Sequence, residues 1–260
     1  MDSHEFGDTG TYHALERVVA RLLGPGGCPW DREQTHQSLK RNLLEECYEV
    51  LEAIDRGDSD NLAEELGDIL VQVVFHIHLA QEQGQFGPQE VFNSINEKLI
   101  RRHPHVFGGT EARTAEEVKA NWEAIKQQER VDASRLGDVP KALPSLARSQ
   151  LLQDRASLAG FDWDRVDGVL DKVREELQEL EEAPSQVERE MELGDILLAL
   201  VNTGRWMDIQ VEDSLRHANE RFYRRFTCME GLCKERGVDF TALSMDGKEA
   251  LWQEAKKAVG

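Results

Sequence analysis

LLEECYEVLEAIDRGDSDNLAEELGDILVQVV, residues 43–74, is the stretch whose reading decides the fold. At the helical advance of about 100° per residue, Leu43, Leu44, Cys47, Val50, Leu51 and Ile54 fall in one arc about 120° wide. Glu46 lies at the edge of that arc and Glu49 a little further round. In the following segment Leu62, Leu66, Ile69, Leu70, Val73, Val74 and Ile77 form a second stripe, with Glu65 and Asp68 just off its edge. The link DRGDSDN carries Gly57, Ser59 and Asn61, the chemistry of a tight turn followed by a helix start. Two helices joined so closely pack antiparallel. Their apolar stripes are expected to meet, which lets the four carboxylates converge along one edge of the seam. Like charges on one face repel, and a carboxylate leaving water is costly unless something pairs with it. The segment is therefore either a solvated surface or a receptacle for a cation that is not protein.

No run of alternating β-branched residues competes with the helical period elsewhere, so the fold class is all-α. The second half repeats the first. GCPWD at 27–31 returns as GFDWD at 160–164, and LLEECYE at 43–49 as VREELQE at 173–179. ELGD at 65–68 returns unchanged at 192–195, NEKLIRR at 96–102 as NERFYRR at 219–225, and NWEAIK at 121–126 as LWQEAK at 251–256. Order is kept and the offset drifts only by loop-sized steps. The duplicated unit is roughly 120 residues, too long a period for a solenoid repeat. The expected layout is a first helical-bundle domain at 1–132, a linker at 133–145 within the Pro- and Gly-containing stretch RVDASRLGDVPKALPS, and a second domain at 146–260.

Composition limits the partners. The 260 residues suffice for one large or two small cores. Fifty acids against 31 bases leave a net charge of −19, which argues against nucleic acid, whose phosphates attract basic surfaces. A nucleotide stays open, since a metal ion bridges acids to phosphates. Cys28, Cys47, Cys228 and Cys233 form no CxxC pair and read as free thiols of a reducing cytoplasm. The opening MDSHEFGDTG is polar, unlike a secretory signal. The most apolar run, 69–75, is too short to span a bilayer. No membrane is expected.

The duplicated positions sort into two chemistries. The acids are Glu45, Glu46, Glu49, Glu65 and Asp68, then Glu175, Glu176, Glu179, Glu192 and Asp195. Spacings of three place carboxylates one turn apart, which suits a hard cation wanting several oxygen ligands. The bases are Lys98, Arg101 and Arg102, then Arg221, Arg224 and Arg225, placed to hold the far end of a polyphosphate. Lys172 precedes Glu176 by one turn and shares the acidic face, where the first repeat has Asn42.

Plainer readings apply to several of these. A lone EExxE is most often a solvated face, and two matched copies of the whole set weaken that reading. Trp122 and Trp252 are either core aromatics or base-stacking platforms. His76 and His78 point to different sides of one helix and read as packing or surface residues. His103 and His105 lack counterparts in the second repeat. Glu33 and His36 are the one Glu-x-x-His of the chain, whereas a di-iron bundle takes that motif from two helices. No GxxxxGK[ST] loop is present, which excludes a P-loop enzyme.

In this order and combination, EExxE, ExxD and NEK-x3-R, with GCPWD ahead and RRHPHVFGG behind, resemble the MazG family of nucleoside triphosphate pyrophosphohydrolases in its long, two-repeat bacterial form. The resemblance runs from about residue 12 to 258. It implies an all-α fold, dependence on Mg²⁺ with Mn²⁺ as substitute, and conversion of NTPs or dNTPs to the monophosphate and pyrophosphate. It also implies a homodimer whose helices complete each other's sites. Carried over by position, the implied metal ligands are Glu176, Glu179, Glu192 and Asp195, with Glu46, Glu49, Glu65 and Asp68 as counterparts. The implied substrate contacts are Lys172, Asn219, Arg221, Arg225, Trp252 and Lys256, with Asn96, Lys98, Arg102, Trp122 and Lys126 as counterparts. Glu175 or Glu45, unsaturated by metal, would orient or deprotonate the attacking water. One departure stands out: the second copy reads NER, so Arg221 replaces the family's Lys and a planar fork replaces a point charge. Lys172 favours the second repeat as the main site; the unaltered NEK favours the first. A rival of another class is a non-catalytic acidic adaptor that dimerises through its apolar stripes, although an adaptor has no need to repeat bases in step with acids. A pyrophosphatase selective for one base, such as a dUTP enzyme, is a second enzymatic reading.

Overall fold

The computed structural model describes residues 8–129, 134–137 and 139–260. The polar opening residues 1–7 and the expected domain boundary at 132–133 lie outside the described residues. Every regular element among the described residues is helical: α1 (Tyr12–Leu23), α2 (Leu39–Arg56), α3 (Ser59–Glu82), α4 (Pro88–Arg102), α5 (Pro104–Phe107), α6 (Ala115–Gln128), α7 (Ser145–Leu158), α8 (Val166–Glu182), α9 (Gln186–Trp206), α10 (Val211–Arg236) and α11 (Met245–Val259). The chain divides into two compact units between Lys126 and Gln127.

In the first unit, α2 ends where Gly57 takes a left-handed conformation (φ 63°), which costs glycine nothing. Asp58 then caps α3, its side chain accepting from the Asn61 N–H at 3.1 Å. This turn folds α3 back along α2, and α1 packs on α3 from the other side. The core is Val19, Leu23, Leu39, Val74, Phe75 and Leu79, with Tyr12, Leu15 and Val71 against it. In the second unit Ser185 and Glu188 form a capping box that starts α9, and α8 and α9 pair as α2 and α3 do. Gln150 on α7, itself buried, ties the unit together: its amide nitrogen donates to the Ile209 carbonyl at 2.9 Å and its oxygen accepts from the Val211 N–H at 3.0 Å. A second cluster, Met229, Cys233, Leu251 and Ala255, joins α10 to α11.

The expectation that the apolar stripes meet is only partly met. α2 and α3 do pack together, but Ala53 and Leu39 are the α2 residues fully buried, and Leu44, Cys47 and Ile54 are exposed. On α3 the line Leu66, Leu70, Val73 faces outward, and α9 repeats it with Leu193, Leu197 and Leu200, each at least 38% exposed. The stripes are wider than one partner helix covers, because each helix here is flanked on one side only.

Candidate active site

Each unit gathers three carboxylates across its helix pair. Oxygens of Glu46 and Glu49 on α2 and Glu65 on α3 lie within 4.8 Å of one another, and so do those of Glu176 and Glu179 on α8 and Glu192 on α9. The geometry follows from the spacing: one turn separates the two glutamates of the first helix, and the antiparallel partner brings the third alongside. Asp68 and Asp195 fall outside these sets. Asp68 is still near enough for its charge to act on Glu46 and Glu65. Glu45 faces away, paired with Arg41 at 3.0 Å on an exposed surface.

The two sets differ in electrostatics. In the first unit withdrawal from water pushes the Glu46 carboxyl up to about 7, assisted by Glu49, Asp68 and Glu65. Glu65 is raised too, by loss of solvent first and then by the charges of Glu49, Asp68 and Glu64. In the second unit Lys172 Nζ stands 2.7 Å from both Glu175 and Glu176. Those hydrogen bonds are the main reason the Lys172 ammonium is held still more firmly than usual. Glu176 is buried and has this cation as partner. Glu179 is raised, first by desolvation and then by Glu176, with Lys172 opposing.

Beside the second set lies a cavity of about 510 Å³ between α7, α8 and α9. Lys172, Glu176 and Asp195 form its charged wall; Phe161, Trp163, Leu198 and Ala199 form an apolar one, and Gln153, Asp162, Asn202 and Arg205 are its polar points. Asp162 Oδ1 fixes the loop ahead of α8: it accepts from Trp206 Nε1 at 3.0 Å, from the Trp163 N–H at 2.8 Å and from Arg205 at 2.5 Å. Burial opposes the Asp162 charge, but these donors outweigh it and hold the carboxyl below its ordinary range. In the register of the two ELGD motifs, Phe75 of the first unit stands where the second has Asn202, and Gln72 where it has Ala199. Phe75 and Gln72 are both buried in the first unit. Pro29 holds the place of Asp162 and His78 that of Arg205. The first unit thus fills with side chains the positions that line the cavity in the second. His76 of that unit is stacked on His36, with Nδ1 atoms 2.8 Å apart.

The expected phosphate contacts do not line this cavity. Arg225 and Lys256 sit over the Trp252 ring at 5.7 and 5.8 Å, and Arg225 also bonds the Gly260 carbonyl. Asn219 and Arg221 are exposed on α10. In the first unit Arg102 sits over Trp122 at 5.3 Å, and Lys98 lines a shallow groove on α4; Asn96 is exposed and Lys126 half-buried. Trp252 packs on the edge of the α10–α11 core while carrying the two cations, so its two sequence readings coexist. Sequence reasoning missed Gln153, Asp162, Trp163, Asn202 and Arg205. The repeated GxxWD motif was the one signal pointing to Trp163.

A family model described as the MazG nucleotide pyrophosphohydrolase domain matches residues 34–107, the segment that carries α2 to α5. The chain is 43% identical to the nucleoside triphosphate pyrophosphohydrolase/pyrophosphatase MazG of Thermotoga maritima, over 94% of this chain and 95% of that protein.

The chain belongs to the MazG family.

A nucleoside triphosphate pyrophosphohydrolase of Escherichia coli K12 is likewise 43% identical, over 94% of this chain and 96% of its own length. YabN of Bacillus subtilis, an uncharacterized protein, is 44% identical over 95% of this chain, which corresponds to 52% of YabN. The MazG two-repeat length is therefore shared with the first two relatives end to end.

Proposed function

We propose that the chain hydrolyses nucleoside triphosphates and deoxynucleoside triphosphates to the monophosphate and pyrophosphate, and that the second unit is the main site. The observation that carries this is the 510 Å³ cavity walled on one side by Lys172, Glu176 and Asp195 and on the other by aromatic and aliphatic side chains. That pairing of charge with an apolar pocket suits a ligand with a polyphosphate at one end and a flat base at the other. The names of the Thermotoga maritima and Escherichia coli relatives point the same way.

Three carboxylates with oxygens within 4.8 Å, without His or Cys among them, are hard donors fit for Mg²⁺ or Mn²⁺. The raised Glu179 carboxyl supports this, because it reflects charges gathered without full compensation. Glu176, Glu179 and Glu192 would hold the ion, with Asp195 at the cavity wall as a further oxygen. When bound, Mg²⁺ supplies positive charge to the phosphate oxygens and acidifies a water. The protein's own part is positioning. Lys172 turns from Glu175 toward a phosphate, which releases the Glu175 carboxylate to take the proton of the attacking water. Arg221, Arg225 and Lys256 neutralise the leaving pyrophosphate. These bases stand with Trp252 rather than in the cavity wall, and the outward stripes on α3 and α9 are uncovered. A homodimer accounts for both, since a second copy covers the stripes and brings its α10 to the cavity. Free thiols and the absence, among the described residues, of a helix long and apolar enough to cross a membrane fit a cytoplasmic protein.

The deciding experiment is hydrolysis of ATP with Mg²⁺ in ¹⁸O-water. AMP and pyrophosphate should be the first products, with label in AMP. Label in pyrophosphate places the attack at the β-phosphorus and sinks the mechanism; no turnover of any NTP or dNTP with Mg²⁺ or Mn²⁺ favours an acidic adaptor.

A further inference from the structure

Gln153 on α7 is held in one orientation. Its amide nitrogen donates to the Leu198 carbonyl at 2.9 Å, so its Oε1 is the opposite atom. That oxygen is buried and has no hydrogen-bond partner. The other side-chain acceptors at the cavity are engaged: Asn202 Oδ1 takes a hydrogen bond from Arg205 Nε at 2.9 Å, and Asp162 Oδ1 takes those of Arg205 and Trp206. Among the described residues that line the cavity, Gln153 Oε1 is the buried side-chain oxygen left without a donor. A buried acceptor in that state costs on the order of 1–3 kcal/mol, which a ligand N–H recovers on binding.

Across the same cavity Trp163 is seated by a missing side chain. A Cβ at Gly168 on α8 would stand 2.7 Å from Trp163 Cε3, so the ring rests against the helix where only glycine leaves room. The Asp162 bond to the Trp163 N–H holds the backbone of the same residue. Trp163 is 46% exposed, a large flat face left open beside an apolar wall.

We infer that this cavity receives the nucleobase, with Trp163 as its stacking face and Gln153 Oε1 accepting from an N–H on the base edge. The inference rests on the proposed pyrophosphohydrolase reading and deepens it by naming how the base is recognised. It also sets the selectivity. Adenine, cytosine, guanine, uracil and thymine each present an N–H on their pairing edge, so one lone acceptor accommodates all five. A base with no N–H leaves Gln153 Oε1 unpaired and is disfavoured.

The test uses the full chain with Mg²⁺. α,β-Methylene-ATP and tripolyphosphate are titrated into the native protein, Trp163→Ala and Gln153→Leu by calorimetry. In parallel, kcat/KM is measured for ATP and for purine riboside triphosphate, which lacks the exocyclic amine. Trp163→Ala should weaken α,β-methylene-ATP by about tenfold or more, the order expected for one stacked base, and leave tripolyphosphate within about twofold. The native protein should prefer ATP over purine riboside triphosphate by about tenfold, the order of one hydrogen bond, and Gln153→Leu should erase that preference. Equal weakening of both ligands by Trp163→Ala, or none, overturns the pocket. A preference that survives Gln153→Leu overturns the acceptor's role. Failure of the native protein to hydrolyse ATP would instead sink the reading beneath the inference, while the binding titration still decides where the base sits.

Discussion

Lys172 Nζ stands 2.7 Å from the buried Glu176 carboxylate, and nothing equivalent faces Glu46, where Asn42 holds the place of the lysine. One acidic set carries a built-in cation and the other relies on protonation. Several consequences are measurable.

Replacing the lysine separates its two roles. Lys172→Met removes the competitor for the Glu176 oxygens and also a phosphate contact. Mg²⁺ should therefore raise the melting temperature of Lys172→Met more than that of the native protein, while KM for ATP rises several-fold. If both quantities move in the unfavourable direction, Lys172 does not compete with the ion.

The first unit should soften as pH rises. Glu46 goes from the ordinary 4.5 to about 7 on folding. A carboxyl with a raised folded pKa contributes stability below pH 4.5, and that contribution is lost as pH climbs through 7. In EDTA, thermal melts from about pH 5 to 8 should fall more steeply for the native protein than for Glu46→Gln, and Mg²⁺ should flatten the native curve. Equal slopes for the two proteins would refute this origin.

Unequal repeats predict unequal losses. Glu192→Gln and Asp195→Asn should each lower kcat by about a hundredfold, the scale of one electrostatic contributor. Glu65→Gln and Asp68→Asn should cost a few-fold at most. The reverse ranking moves the main site to the first unit, and equal large losses make both units necessary.

Asp162 should behave as a positioning residue. Asp162→Asn leaves Arg205, which is largely buried, without its carboxylate, at a cost of roughly 2 kcal/mol. KM for ATP should rise more than kcat falls, because the Trp163 loop loses its anchor. Asp162 is held below its ordinary 3.8, so its contribution is present above that pH and is lost as pH falls through the folded value. A changed kcat with unchanged KM would exclude the anchoring role.

The uncovered stripe predicts assembly. Leu197→Glu on α9 should shift the solution mass, measured by light scattering, from dimer to monomer with helical content preserved. A native monomer would leave the outward leucines unexplained and remove the partner's α10 from the site.

How much of this was legible beforehand differs by residue. The helix pairs, the turn at Gly57 and the gathering of Glu46, Glu49 and Glu65, with Glu176, Glu179 and Glu192 as their copies, follow from local periodicity and one tight turn. Such features depend on neighbours within a turn or two, so the sequence determined them. The cavity did not depend on neighbours. It exists because Asn202 and Ala199 replace the bulkier Phe75 and Gln72, and because Asp162 reaches a residue far along the chain, Arg205. Gln153, Leu198 and Trp163 meet there from α7, α9 and the loop before α8. Space left between elements is set by how side chains from distant segments fill it. Periodicity along one segment carries no trace of it, so the charged wall of the site was written in the sequence, and its pocket was decided by tertiary packing alone.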